Sequence, residues 1–382
     1  MKDLRLPLER ARRDHLYRRP LVLDSPQQPE MVVAGRPMLG FCSNDYLGLA
    51  ADARVAEAFH RGIDRWGSGS GAAHLVTGHS RAHEQLEQEL ADFTGRERAL
   101  LFSSGYMANL AVITTLSGRG DTLIEDRLNH ASLIDGGRLC GARLRRFPHA
   151  DLAAAGKQLQ NATGETLLAV DGVFSMDGDL ADLPALADLC RRHQAWLMVD
   201  DAHGLGVLGS TGGGSLEHWR LDAQQVPVLM GTLGKAFGTA GAFVAGSEAL
   251  IETLIQEART YIFTTALPAA VAEATRSSLK ILRKERWRRE RLQELVEKFR
   301  EGAARLGFAL PASTTPIQPL IAGSAETALE WSGLLAEQGI LVTAIRPPTV
   351  PRGSARLRIT FSASHTDEHL QRLLAALERL RP

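Results

Sequence analysis

The sequence predicts an α/β protein: a large domain on a mostly parallel sheet covered by helices, followed by a small α+β C-terminal domain. Three observations carry this. Short apolar runs alternate with helical patterns from about residue 98 to 200, the order that yields parallel strands covered on both faces. Several runs end in turns or in polar residues such as Asp200 and Thr232, at the carboxyl ends where ligands sit in such sheets. After residue 246 the texture changes to long helical stretches, then to a mixed strand and helix pattern over 307–382.

A chain of 382 residues has room for two domains and a sizeable core. Its 44% hydrophobic and 23% charged content is that of an ordinary globular protein. A formal net charge of +0 gives no reason to expect nucleic acid or an acidic membrane as partner. No apolar run nears the ~18 residues of a membrane span, and the N-terminus has no apolar signal-peptide core. Cys42, Cys140 and Cys190 form no CxxC pair, which argues against a disulfide framework or zinc knuckle. The expectation is a cytoplasmic protein.

In chain order, residues 3–19 read as an amphipathic helix, with Leu4, Leu8 and Ala11 opposite Arg5, Arg12 and Arg13, and Pro20 stopping it. This opens an N-terminal segment, 1–45, expected near the small domain. Residues 40–48 read as a strand end and an Asx-type turn. The stretch 66–80 holds too many small residues for a packed element and reads as a loop. His79 and His83 stand at i,i+4 spacing, but no His-Glu-x-x-His and no third ligand accompany them, so a helix start is favoured over a metal site.

The large domain spans 46–265. Strands are expected at 99–102, 122–125, 143–147, 166–170 and 196–199, with helices at 106–116, 130–139 and 183–193. Residues 261–265 read as extended. A connecting helical region covers 266–306, its Arg/Glu-rich middle (283–300) being most simply a solvated face. The small domain takes 307–382.

Chemistry concentrates at the strand ends. Lys235 stands between Gly234 and Ala236 after the apolar run 226–230. An amine among small and apolar residues loses hydration, which favours its neutral, nucleophilic form. A Walker-type loop is excluded, because Leu229 and Ala236 stand where it needs glycine and Ser or Thr. Asp200 closes an apolar strand, where a carboxylate calls for a cationic partner, and His203 follows three residues on. These three match a cofactor with a protonated pyridine nitrogen, a phenolic oxygen and an aldehyde, and Gly105, Tyr106 and Thr232 supply a phosphate cradle at a helix N-terminus. That cofactor is pyridoxal 5'-phosphate (PLP). Singly, each residue also fits a plain structural role: a solvated lysine, a turn-capping aspartate, a core histidine. Residues 204–209 (GLGVLG) match G-x-G-x-x-G, but loop residues 210–214 follow instead of a helix, which disfavours a nicotinamide-binding reading.

Beyond this, the chain resembles the PLP-dependent α-oxoamine synthases over nearly its whole length. The carriers are 43–48 (SNDYLG), 104–109 (SGYMAN), 126–132 (DRLNHAS), 172–178 (GVFSMDG), 200–204 (DDAHG), 232–238 (TLGKAFG) and 261–265 (YIFTT). The resemblance implies PLP fold type I and a homodimer with the site at the subunit interface, Thr264 and Thr265 approaching the partner's phosphate. It implies that His130 stacks on the ring and that Ser175 and His203 meet the ring oxygen. Asn44, Arg18 and Thr349 would contact substrate, as would His130, and Arg346 would face a carboxylate. Residues 317–320 and 345–351 lean toward the branch that condenses L-alanine with pimeloyl-CoA or a pimeloyl-carrier protein. Glycine with succinyl-CoA or acetyl-CoA stays open as an alternative. Two departures stand out: Asp171 where the family's pattern has glutamate, and Ala72-Ala73-His74 where Gly-Ser-Arg is usual.

Overall fold

The computed structural model describes residues 3–380. It divides into two compact units. The larger comprises Leu49–Ser175 and Leu180–Arg289; the smaller takes in the chain up to Gly48, Met176–Asp179 and the residues from Glu290 on. The connecting region expected at 266–306 is therefore divided between them.

The larger unit is built on a seven-stranded sheet in the order Arg98–Phe102, Ala242–Gly246, Val228–Thr232, Trp196–Asp200, Thr166–Asp171, Thr122–Asp126, Arg143–Phe147. Thr166–Asp171 is buried at every position, because helices cover both faces. Successive residues feed opposite cores: Leu167, Ala169 and Met198 join one, Leu168, Val170 and Val199 the other. The sheet is parallel except for Ala242–Gly246, antiparallel to both neighbours. The sequence reading passed over this strand. It returns from Val228–Thr232 through a turn at 233–241, too short for the crossover that a parallel neighbour requires.

Other local expectations are corrected. Residues 261–265 are not one extended piece: a short helix, Arg259–Ile262, comes first, and Thr265 then bridges to Ala73. The 66–80 loop contains a π-helical turn, His74–Gly78, whose His74 ring stacks on Tyr261 at 4.9 Å. His83 does begin a helix: its Nδ1 accepts the Ser80 N–H (3.0 Å), closing a capping box ahead of Arg81–Thr94. Among the described residues no group of three or more His, Cys, Asp or Glu is placed to hold a metal.

The long helical region is two helices, Ala269–Lys284 and Trp287–Arg305. At the break, Glu285 accepts from Arg54 and Arg288. The arginines there are not a solvated face. Arg288 pairs with Asp52 (3.2 Å), and buried Arg289 donates to the carbonyls of Leu282 and Ser210. That second bond ties down the glycine-rich 204–214 loop.

Three carboxyls in this unit are withdrawn from water, Glu125 and Asp201 completely and Glu87 for the most part. Burial pushes Glu87 up to about 8, Glu125 to about 7 and Asp201 to about 7, and neither Glu125 oxygen has a hydrogen-bond partner. Each holds a proton in the folded chain that the unfolded chain releases near pH ~4. The stability these three groups contribute is therefore lost as pH rises from about 4 to about 8, opposite in sign to the buried histidines His74 and His365, which burial lowers to about 3 and about 4. Glu125→Gln is expected to flatten that slope and raise stability near pH 8 by up to about 3 kcal/mol. Thermal unfolding at acid and mildly alkaline pH reads this directly; an unchanged slope would contradict it.

The smaller unit has two three-stranded sheets. In one, Ala355–Thr360 lies between Ile317–Gly323 and Thr343–Ile345, all antiparallel. In the other, Arg36–Gly40 pairs antiparallel with Glu30–Val33 and parallel with Ile340–Leu341. Residues 176–179 belong here through Asp177, paired with Arg356, and the Gly178 carbonyl, which accepts from the Ser313 and Thr315 hydroxyls at 2.9 Å each. The N-terminal helix is shorter than expected, Arg5–Arg13, with no residue buried. It ends because His15 adopts a left-handed φ of 56°.

Candidate active site

The carboxyl ends of the central strands of the larger unit frame a pocket of about 180 Å³. Register puts Asp171 beside Asp200 and Asp200 beside Met230, so two strands deliver their last residues, and a third its Met230 and Thr232, to one floor. Helix Gly105–Leu116 opens at its edge. Ser104 caps this helix by accepting the Met107 N–H, which leaves the first N–H groups, those of Gly105 and Tyr106, without intrahelical partners.

Asp200 Oδ1 accepts the Ala202 N–H (3.0 Å) and Oδ2 accepts the Asn109 amide (2.7 Å). Lys235, half-buried in the turn after Val228–Thr232, brings its Nζ to 2.8 Å from His203 Nε2. Thr232 lines the pocket and donates its hydroxyl to the Gly241 carbonyl (3.1 Å), pinning the turn that carries Lys235.

His130 is the N-cap of helix Ala131–Leu139, and its backbone N–H donates to Asp171 Oδ2 (2.9 Å). Tyr106 approaches His130 edge-on, ring centres 6.5 Å apart, and gives its hydroxyl hydrogen to Asp135. Burial, then the negative Asp200 beside it, raises the Asp171 carboxyl well above the ordinary range, favouring the neutral acid. Loss of water contact lowers the His130 pKa; Asp200 opposes this and Lys235 adds to it.

Of the expected residues, Gly105, Tyr106, His130, Ser175, Asp200, His203, Thr232 and Lys235 line this one pocket. Thr264 and Thr265 do not: the Thr265 carbonyl accepts from Ser103 (3.2 Å). Asn44, Arg18, Arg346 and Thr349 belong to the smaller unit. There Arg18 donates to Thr349 Oγ1 (3.4 Å), Arg346 to the His15 carbonyl, and Asn44 Oδ1 accepts from Arg358 (3.0 Å). Burial and the like charge of Arg18 hold the Arg346 guanidinium below its ordinary value, so two cations converge here.

Asn109 and Ser132 also line the pocket, and sequence reasoning gave neither a role. Asn109 lies four residues after Gly105 on a helix whose start was already in the site, so it faces the same side. That spacing was the available signal.

The aminotransferase class I and II profile matches residues 36–377. The chain belongs to that family. Among family relatives, an 8-amino-7-oxononanoate synthase from Stutzerimonas stutzeri is 64% identical over 375 residues, covering 98% of this chain and 96% of that protein. A serine palmitoyltransferase from S. paucimobilis, solved with bound PLP and myriocin, superposes with a TM-score of 0.93 at 30% identity over 98% of this chain and 96% of that one. An 8-amino-7-oxononanoate synthase from Francisella tularensis gives 0.79 at 34% identity, over 90% and 97%. The family's large sheet and separate small antiparallel sheet are those described above.

Proposed function

We propose that this protein is a PLP-dependent acyltransferase of biotin synthesis, condensing L-alanine with pimeloyl-CoA or a pimeloyl-carrier protein to give 8-amino-7-oxononanoate, CO2 and free thiol. The observation that carries the chemistry is the Lys235 amine 2.8 Å from His203 in a pocket that also holds Asp200 and the start of a helix. The near full-length similarity to 8-amino-7-oxononanoate synthases supports the substrate pair.

The pocket fits the cofactor. Gly105 and Tyr106 offer free N–H groups to a phosphate, with Thr232 beside them. Asp200 is placed to keep a pyridine nitrogen protonated, and two donors already orient its carboxylate. His203 and Ser175 would meet the ring oxygen, and His130 would cover one ring face. Lys235 would tether the aldehyde carbon. When bound, PLP supplies an electron sink for negative charge at the amino acid's Cα.

Around that sink the chain moves one proton and binds two substrates. Lys235, its amine free while substrate is bound, would take the Cα proton and later return one to the same carbon. Between those transfers the bond from Cα to the thioester carbonyl carbon would form, the C–S bond would break with the thiolate taking a proton from solvent, and the carboxylate would leave as CO2, with no net oxidation. Arg346 and Arg18 are suited to a substrate carboxylate, Arg346 by its guanidinium fork; Asn44 and Thr349 complete the substrate set.

A homodimer accompanies this reading, because Thr264 and Thr265 lie outside their own chain's pocket lining and the resemblance gives them to the partner's phosphate. A cytoplasmic setting suits the three free cysteines; no described helix is long and apolar enough to cross a membrane.

The purified protein should take up PLP, turn yellow, and become covalently labelled at Lys235 on borohydride treatment. A matrix of amino acids against acyl thioesters, read by thiol release, should favour L-alanine with the pimeloyl thioester. Preference for glycine with succinyl-CoA would replace the substrate assignment, and a protein unable to bind PLP would end the reading.

A further inference from the structure

Asp200, Asn109, Ser132 and His130 form one directional hydrogen-bond chain. Asn109 has no exposed surface; its amide nitrogen donates one hydrogen to Asp200 Oδ2 (2.7 Å) and one to Ser132 Oγ (2.8 Å). The reverse amide orientation would set Oδ1 against a carboxylate oxygen, so the nitrogen faces Asp200. Ser132 is equally buried. Having accepted from Asn109, its hydroxyl keeps its own hydrogen for His130 Nδ1, 2.7 Å away. The Ser132 backbone N–H points at that same nitrogen (3.3 Å). With two donors on Nδ1, the His130 ring is neutral and carries its hydrogen on Nε2.

We propose that Asn109 and Ser132 are positioning residues acting as a single bridge, holding Asp200 as an oriented acceptor and His130 as the neutral Nε2–H tautomer. The proposal rests on the PLP reading above. Under it, the contact to the ring nitrogen and the contact to the ring face are set by one buried amide. Among the groups facing His130, Asp200 favours a protonated ring, but loss of water contact outweighs it. Lys235 opposes a second positive charge, and Asp171 is occupied with the His130 backbone N–H. Asn109 Oδ1 has no hydrogen-bond partner, so the orientation is fixed by what the amide nitrogen and the Ser132 hydroxyl contact. A residue that merely filled space would affect folding without affecting how the cofactor is held.

The test compares wild type, Asn109→Ala, Ser132→Ala and the double variant. Each apoprotein is titrated with PLP for its dissociation constant and the visible circular dichroism per bound PLP, alongside thermal unfolding without cofactor. Each single change should weaken PLP binding about 10- to 100-fold, the usual loss for a group that orients a ligand's direct contact, and reduce the dichroism. Because both residues serve one bridge, the double variant should lose no more than the worse single one. Additive losses, or unchanged binding and dichroism in folded variants, would overturn the bridge. Ser132→Ala removes only a hydroxyl and carries the test if Asn109→Ala does not fold. A wild type that takes up no PLP would instead sink the functional reading, before any variant is compared.

Discussion

Lys235→Ala should abolish turnover, by at least about 10⁴-fold, in a protein that still folds and still takes up PLP. Under the proposed function two roles would converge on this amine: the tether that holds the aldehyde carbon and the base that moves the Cα proton. Its surroundings serve both. Thr232 pins the turn through the Gly241 carbonyl, and His203 Nε2 at 2.8 Å gives the amine a partner with which to exchange a proton. Alanine keeps the backbone and leaves the Asp200, Asn109 and His130 contacts in place, so the loss is chemical and not structural. Thiol release from L-alanine and the pimeloyl thioester measures the first half. Borohydride labelling measures the second, and should find no covalent attachment. Lys235→Arg keeps the charge but cannot relinquish a proton at neutral pH, so it should be equally inactive. Full activity in either variant would contradict the assignment.

The second large effect concerns stability. Gly238 closes the same turn, donating its N–H to the Lys235 carbonyl (2.9 Å) at a φ of +66°. A Cβ there would lie 2.4 Å from the backbone of Leu49 and Ala50, atoms that cannot swing aside as a side chain does. Left-handed strain and overpacking together put the cost of Gly238→Ala at about 2–5 kcal/mol. Gly234, on the other side of the lysine, is exposed, and a Cβ there meets only the Thr239 carbonyl at 3.6 Å. Gly234→Ala should therefore leave the denaturant midpoint nearly unchanged. Equal midpoints for the two variants would show that the contact with 49–50 does not constrain the turn.

The parts of the fold that sequence revealed are those in which one physical cause acts alone. Buried parallel strands such as Thr166–Asp171 must be apolar throughout, and their carboxyl ends must carry the polar residues, so Asp200, His203 and Lys235 were visible without coordinates. Where tertiary contacts decide, the reading failed. Nothing local marks Ala242–Gly246 as the antiparallel insertion, because its direction depends on the shortness of the turn before it. The break at Glu285 depends on Arg54, 231 positions away. Arg288 and Arg289 looked like surface residues because the partners that allow their burial, Asp52 and the Leu282 and Ser210 carbonyls, are not adjacent in sequence. Asn109 and Ser132 were hidden for the same reason. Their meaning lies in a chain linking two helices and a strand, and only the helical spacing from Gly105 hinted at it.

The make-up of the smaller unit bears on how the protein is made. Its first two strands, with buried Met31, Val33 and Leu39, pair with each other, but Arg36–Gly40 finds its second neighbour only at Ile340–Leu341, and Asn44 meets Arg358, 314 positions later. On a ribosome adding about 5–20 residues per second, these strands would wait roughly 15–60 s for that partner. The sheet of the larger unit needs nothing beyond Gly246 and has its strands complete long before. Synthesis thus leaves this early apolar strand pair without its third strand until residue 340 is made, while the sheet of the larger unit already has all its strands.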